Sequence, residues 1–358
     1  MSSEHSLTLA DYGWDEQRDN DFAEHAAQGL VPGRVVRAER GQCDVVTAAG
    51  LIRATVPPDS TGDQHVLCTG DWAALQPPTA QSAATITAIL DRRSAVTRAR
   101  VSGTSVGQLL AANVDIVAIV VSLADPLKQS RIERLLALAW ESGGMPLVIL
   151  TKADQCPDAH QKATEVADIA PGVNVLVTSA TTGEGIDDVR AAITGTVVLL
   201  GRSGAGKSSL GNCLLGSDLL AINTVRDTDG KGRHTTAWRE LVPLPGGGVL
   251  LDTPGLRGVG LHDVDDGLDQ TFAEITDLAE HCRFTDCAHQ TEPGCAVLAA
   301  IEDGDLPRRR LDSYHRLQRE NAHAAARTDA RLRAEAKRSA KEMGRLRKSI
   351  NRSHPRKM

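Results

Sequence analysis

The sequence predicts an α/β fold in three parts: an N-terminal β-barrel of the OB type, a parallel sheet with helices on both faces, and a helical C-terminal region built on a Cys/His cluster. Three observations predict it. Between residues 33 and 90, short apolar runs alternate with polar residues at a period of two and are broken by turn signals. From residue 114 to 251, near-continuous apolar runs alternate with amphipathic stretches, the pattern of buried parallel strands joined by helices. Between residues 282 and 295, three cysteines and a histidine crowd together. A chain of 358 residues is long enough for two or three cores, and 41% hydrophobic with 24% charged content is that of a globular protein. Aromatics at 3% leave the core to Val, Leu, Ile and Ala.

Residues 1–30 are polar and acidic, with Asp11, Asp15, Glu16, Asp19, Asp21 and Glu24, and are expected as a flexible extension with a little helix. The barrel is expected over 31–92. Its strands are placed at 34–38, 44–47, 51–56, near 65–68, 72–76 and 84–90, with turns at Arg40-Gly41-Gln42, Ala49-Gly50 and Pro57-Pro58. Such barrels either bind oligonucleotides or serve as structure alone. Residues 91–110, with Arg92, Arg93, Arg98 and Arg100, read as a basic linker. A second domain is expected over 93–260, with strands at 114–123, 146–150, 173–177, 197–200 and 248–251 and helices at 129–141, 159–169 and 186–193. A metal-binding domain over 261–306 and a basic helical tail over 307–358 complete the chain.

The chemistry centres on Gly201-Arg202-Ser203-Gly204-Ala205-Gly206-Lys207-Ser208, followed by Ser209. This is the full phosphate-binding loop pattern, after a strand and before an apolar helix. The glycines let backbone N–H groups converge on phosphate oxygens, and the helix dipole adds positive potential. Lys207 is placed to reach the β and γ phosphates and Ser208 to ligate Mg²⁺. Thr151-Lys152-Ala153-Asp154 follows another strand and resembles the guanine-specificity motif of GTPases. A carboxylate at Asp154 accepts from both N1–H and N2–H₂ of guanine, a donor pair that adenine lacks. Thr151 stands where Asn is usual, which is expected to lose an amide contact to the base edge and the phosphate loop. Thr178-Ser179-Ala180 resembles the second base-contacting motif, where a backbone N–H meets guanine O6. Asp252-Thr253-Pro254-Gly255 resembles the D-x-x-G motif, with Asp252 on Mg²⁺ through water and Gly255 N–H on the γ-phosphate. Between these, residues 230–236 form a Gly-rich basic segment suited to a mobile switch, in which Thr235 or Thr236 completes the Mg²⁺ shell.

The guanine motifs precede the phosphate loop, the reverse of the usual order, so the GTPase motifs are circularly permuted. With a barrel in front and the Cys/His cluster behind, residues 31–300 resemble the ribosome small-subunit-dependent GTPase A family. The resemblance implies a permuted P-loop GTPase fold, GTP hydrolysis to GDP, a zinc site, and late maturation of the small (30S) ribosomal subunit with contacts to 16S-type rRNA. The alternative is a GTP-dependent RNA-binding checkpoint whose hydrolysis only drives release; a third reading is a permuted GTPase acting on another RNA or a membrane surface. Leu256 occupies the position where many GTPases carry a water-orienting Gln. His234 is the internal candidate for that catalytic role, as in the family the chain resembles; the bland reading is an exposed switch residue.

Cys282, Cys287, His289 and Cys295 offer three thiolates and an imidazole, a closed tetrahedral set for one structural zinc. Glu292-Pro293-Gly294 is the turn that returns the fourth ligand. Cys43, Cys68, Cys156 and Cys213 are scattered and read as core residues in a reducing compartment. Residues 307–358 hold 17 Lys and Arg against 5 Asp and Glu, a net of +12, while the rest of the chain carries −18. Leu332, Ala336, Ala340, Met343, Leu346 and Ile350 recur at helical spacing. The tail is either a solvated helix packed on the body or a phosphate-backbone contact to rRNA. No apolar run approaches the roughly 18 residues that cross a membrane, and the N-terminus has no basic start before an apolar core. A cytoplasmic monomer without membrane contact is expected.

Overall fold

A computed structural model of the chain describes residues 8–56, 66–98, 108–217, 240–252 and 265–328. Strands β1 (Val31–Glu39), β2 (Gln42–Thr47), β3 (Gly50–Thr55), β4 (Trp72–Gln76) and β5 (Ala84–Ile89) close a barrel in the order β1-β2-β3-β5-β4. The β3–β5 pair is parallel and β1 closes on β4 antiparallel. Period-two alternation sends Val35, Cys43, Val45, Ala54, Ala73, Leu75 and Ile86 inward, all buried. Gly33 is required by this packing: a Cβ there would lie 2.5 Å from Val45 Cγ1 and 2.7 Å from Leu75 Cδ1.

Three sequence expectations change here. The acidic start is not a loose extension over its described part. Residues Glu16–Ala27 form helix α1, N-capped by Asp15, which accepts from Arg18 N at 2.8 Å. Arg18 and Phe22 are buried, and Trp14 packs edge-on against both Phe22 and Trp72. The high acid content hid a few scattered apolar anchors, Leu9, Tyr12, Trp14 and Phe22. Residues 91–110 are likewise not a plain linker: β6 (Ala95–Arg98) and β7 (Gln108–Ala112) form a two-stranded antiparallel sheet. Arg92 and Arg93 are spent on ion pairs, with Asp71 at 2.7 Å and Asp15 at 2.6 Å. Residues 66–68, expected as strand, are not one; Cys68 N donates to Asp71 Oδ2 in a turn.

The second domain is a six-stranded sheet built from β8 (Ile116–Ser122), β9 (Met145–Thr151), β10 (Asn174–Val177), β11 (Thr196–Leu200), β12 (Glu240–Pro243) and β13 (Val249–Asp252). Its order is β10-β9-β8-β11-β13-β12, parallel except for β12. Helices α2 (Gln129–Glu141), α3 (Ala159–Ala167), α4 (Ile186–Ala192) and α5 (Lys207–Leu215) cover it. Alternate residues face two separate cores. Val117, Ile119, Val148, Leu150, Val198 and Leu200 pack with Ile132 and Leu136 of α2. Ala118, Val120, Ile149, Val197, Leu199 and Leu250 pack with Val189 of α4 and Leu210 and Leu214 of α5. Hence the continuous apolar runs: both sides of every central strand are dry.

The C-terminal region contains α6 (Asp265–Thr271), α7 (Ala273–Ala279), α8 (Ala296–Asp303) and α9 (Arg308–Thr328). Gly267 lets α6 lie directly on α2, since a Cβ there would fall 2.0 Å from Ala137 O. Helix α9 docks on α2 through a fully buried carboxylate, Glu133. Its Oε1 accepts from Arg309 Nη1 at 2.9 Å and Arg310 Nη1 at 3.0 Å, and its Oε2 accepts from Ser313 Oγ. The basic tail is thus body-packed at its start. Residues 329–358, with the helical repeat from Leu332 to Ile350, lie outside the described residues.

The barrel is wired to the sheet by buried polar groups. Arg34 on β1 donates to Tyr12 O, to Asn113 O at 3.0 Å and to Thr196 Oγ1 at 2.8 Å, and stacks on Trp72 at 4.9 Å. Burial pulls its guanidinium down to about 10. Asn113 Oδ1 accepts from Arg18 Nη2 at 2.7 Å while its Nδ2 donates to Gly70 O.

Candidate functional site

The parallel order brings 151–154, 178–180, 201–208 and Asp252 to the carboxyl ends of β9, β10, β11 and β13, on one edge of the sheet. That edge is where open α/β sheets bind ligands. The phosphate loop leaves β11 at Gly201, where a Cβ would strike Val120 O at 2.3 Å. Gly206 is left-handed at φ 88° and caps α5, with Leu210 N donating to its carbonyl at 2.8 Å. Ser208 and Ser209 stand in the first turn of α5. Lys207 Nζ folds over the loop, donating to Gly201 O and Arg202 O at 2.8 Å each. Arg202 pairs with Asp125 at the surface.

The two base motifs touch each other. Asp154 Oδ1 accepts from Ser179 Oγ at 2.6 Å, and Ser179 Oγ in turn accepts from Thr181 N and Thr182 N at 3.2 Å. Ala153 N donates to Thr178 O. Ser179 is fully buried, so the carboxylate of Asp154 is aimed by a rigid partner while the residue itself remains exposed. Lys152 is held left-handed at φ 62°, at the start of a 3-10 turn over Ala153–Gln155. Ala180 follows Ser179, its carbonyl facing Cys213 Sγ at 3.8 Å.

Thr151 corrects the expectation that it loses the link to the phosphate loop. Its Oγ1 donates to Ala205 O at 2.6 Å, and its hydroxyl lies 3.3 Å from where a Cβ of Gly206 would stand. A β-branched hydroxyl reaches across because β9 and β11 sit on either side of β8, one strand apart. His234, Thr235, Thr236, Gly255 and Leu256 lie outside the described residues.

The four Cys and His side chains expected to hold a metal converge. Cys282 Sγ lies 3.8 Å from Cys295 Sγ and 3.6 Å from His289 Nδ1, which is 3.4 Å from Cys295 Sγ. With Cys287 included, all four donor atoms fall within 4.8 Å of one another. These distances fit the edges of a tetrahedron that could hold one metal ion at about 2.0–2.3 Å, and are far too long for a disulfide. Burial holds the His289 imidazole below its ordinary range, which favours the neutral form a metal requires. Gly294, at φ 77°, makes the expected turn into Cys295, and Glu292 ties the loop by accepting from Gln290 N, Thr291 N and Ala288 N. His315 of α9 donates to Ala288 O at 3.0 Å, joining the metal loop to that helix.

A model of the family described as RsgA GTPase matches residues 89–262. A Streptomyces coelicolor protein, "Small ribosomal subunit biogenesis GTPase RsgA", is 56% identical over 352 residues, 97% of this chain and 95% of that protein. The chain belongs to the RsgA GTPase family. A second RsgA, from Lactiplantibacillus plantarum, is 40% identical over 89% of this chain and 90% of its own length. Among solved structures, YjeQ from Thermotoga maritima matches with a TM-score of 0.63 and 27% identity over 80% of this chain and 97% of that one. YloQ, described as a circularly permuted GTPase, matches with a TM-score of 0.61 over 81% of this chain and 94% of that one, at 23% identity, a likeness of fold. The chain is therefore a circularly permuted GTPase, an enzyme that hydrolyses GTP. The RsgA motifs were legible in its sequence; Glu133, Arg34 and Asn113, which set the domains around the site, belong to no motif and carried no local signal.

Proposed function

We propose that this RsgA-family GTPase acts in late assembly of the small ribosomal subunit and that the subunit stimulates its hydrolysis of GTP to GDP and phosphate. The observation that carries this reading is near full-length identity of 56% to a protein named for that process. In this reading Asp154, aimed by Ser179, selects guanine, with Lys152 covering the base and Ala180 N–H meeting its O6. The backbone from Gly201 to Gly206 and the Lys207 ammonium hold the phosphates. Ser208, Thr235 or Thr236, and Asp252 through water would hold Mg²⁺, which when bound would offset charge developing on the β and γ phosphates. Gly255 senses the γ-phosphate, and His234 orients the attacking water in place of the absent Gln at Leu256. The ion at Cys282, Cys287, His289 and Cys295 is zinc, chosen by three soft thiolates and one imidazole with no open position. The tail contacts 16S-type rRNA phosphates, and the protein works as a cytoplasmic monomer. No described helix is long and apolar enough to cross a membrane.

The second reading, a GTP-dependent checkpoint whose hydrolysis only drives release, draws on Leu256, which leaves intrinsic chemistry slow. GTP turnover with and without purified small subunits decides. Strong stimulation is expected. GTP-dependent binding without any change in turnover favours the second reading, and no association overturns both. His234→Ala is expected to lower subunit-stimulated turnover by about 10²-fold or more with GTP affinity unchanged; equal turnover removes His234 from the reaction.

A further inference from the structure

Beside the guanine loop stands a cluster that nucleotide binding does not use. Cys156 follows the 3-10 turn of residues 153–155, and Asp158 and Lys162 enter helix α3 just after it. Cys156 Sγ lies 3.1 Å from Lys162 Nζ and 3.1 Å from Asp158 Oδ1, and Lys162 Nζ lies 3.3 Å from the same carboxylate oxygen. A sulfur–nitrogen distance as short as an N–H···O bond is a tight contact for so large an atom. The thiol residue is 6% exposed, while the Lys162 and Asp158 side chains above it are 28% and 48% exposed. Cys43 and Cys213 lack this arrangement. Cys43 Sγ donates to Ala54 O at 3.8 Å, and burial pushes its thiol up to about 12. Cys213 Sγ faces Ala180 O at 3.8 Å. The bonds to Cys156 and Asp158 hold the Lys162 ammonium above its ordinary range, so its nitrogen, placed against the sulfur, becomes a nucleophile for an oxidised sulfur only once it has given a proton to water.

We propose that Cys156 and Lys162 form a peroxide-responsive pair that closes a covalent sulfur–nitrogen bond, a sulfenamide. The oxidant is hydrogen peroxide. The Cys156 sulfur attacks one peroxide oxygen, the O–O bond breaks, and the departing hydroxide takes a proton to leave as water; sulfur is oxidised by two electrons and peroxide reduced by two. The Lys162 nitrogen, having given up a proton, attacks the sulfenic sulfur. The S–O bond breaks and the second oxygen leaves as water. One thiol, one amine and one peroxide thus yield one S–N bond and two waters, and a thiol reductant reverses the bond. Its place gives it a consequence. The bond would tie the turn carrying Asp154 to the first turns of α3, stiffening the base-binding loop. That consequence rests on the reading of Asp154 as the guanine-binding carboxylate; the bond itself does not.

The test uses the full-length chain treated with hydrogen peroxide, alkylated without reductant and digested with trypsin. Expected is a species lighter by two hydrogens within residues 153–190, with cleavage after Lys162 lost and restored by dithiothreitol. In Lys162→Arg the link is expected to vanish while a dimedone-trapped sulfenic acid appears at Cys156. If Cys156 stays a thiol, runs directly to sulfinic acid without a linked peptide, or reacts no faster than Cys43 and Cys213, the proposal fails. GDP affinity of the linked protein is the separate readout. A shift reversed by dithiothreitol supports the stiffened loop, and unchanged affinity in fully linked protein overturns that consequence while the bond stands.

Discussion

Thr151 replaces a longer amide with a hydroxyl and still reaches the phosphate loop, donating to Ala205 O from the neighbouring motif. Thr151→Val should therefore leave a buried carbonyl unpaired at the site and weaken GTP binding about fivefold, or about 1 kcal/mol, in a fluorescent-nucleotide titration. Side-chain reach across one intervening strand cannot be read from a motif, which is why the residue type alone suggested a loss. Asp15 shows a second such blind spot. It looked like one more acid in a polar leader, yet it caps α1 and receives Arg93 in a paired contact at 2.6 and 2.9 Å. The Arg93 bond holds its carboxyl down to about 2 from an ordinary 3.8. A depressed acid stabilises the fold above its unfolded value and loses that contribution as pH falls through its folded value. Unfolding midpoints of Asp15→Asn and the parent should accordingly differ at pH 6 and converge as pH falls from about 4 towards 2.

At the level of elements, Glu133 decides how the C-terminal helix sits. Helix α2 reads amphipathic, and a glutamate on it reads as solvent-facing. In the structure it has no exposure and collects Arg309, Arg310 and Ser313, partners far away in sequence. Arg310 is also held by Glu274 and Thr271 O and stacks on Phe272 at 4.4 Å. Removing the carboxylate takes one charged partner from Arg310, which keeps Glu274, and one from Ser313, so Glu133→Ala should cost about 1–3 kcal/mol in chemical denaturation. Hydrogen exchange should rise first in α9. Strand and helix positions in the sheet domain were legible, apart from the four-residue edge strand β12, because 3.6- and two-residue periods are local. Strands β6 and β7 were not, because four- and five-residue strands flanked by arginines carry too few apolar positions to stand out.

Over the whole molecule, positive charge is distributed unequally in its availability. On the barrel, Arg53 is paired with Glu39 and Asp44, and Arg37 lies 3.5 Å from Glu39, so this face is compensated. The first arginines of the tail are docked on the body. In the proposed reading, contact with rRNA phosphates therefore falls to the later tail. Replacing Lys337, Lys341 and Arg345 by Gln should lower the salt slope of subunit binding by about one unit per residue. Removing the metal with a chelator should loosen the C-terminal region while the barrel and sheet stay protease-resistant. The metal set and the domain sequence were legible from spacing; the Arg34–Thr196 and Arg18–Asn113 ties between barrel and sheet were not, since each joins residues about 95 or more positions apart. The strand order also has a consequence for how the chain is made. Strand β8 pairs with β9 soon after both emerge, but its other neighbour, β11, is synthesised only after α2, α3, β10 and α4. For that interval, the most apolar strand of the sheet presents an unpaired edge to whatever surrounds the nascent chain. Reordering the motifs thus trades an early, complete sheet for a base-binding half that must wait, half-zipped, for its phosphate-binding half.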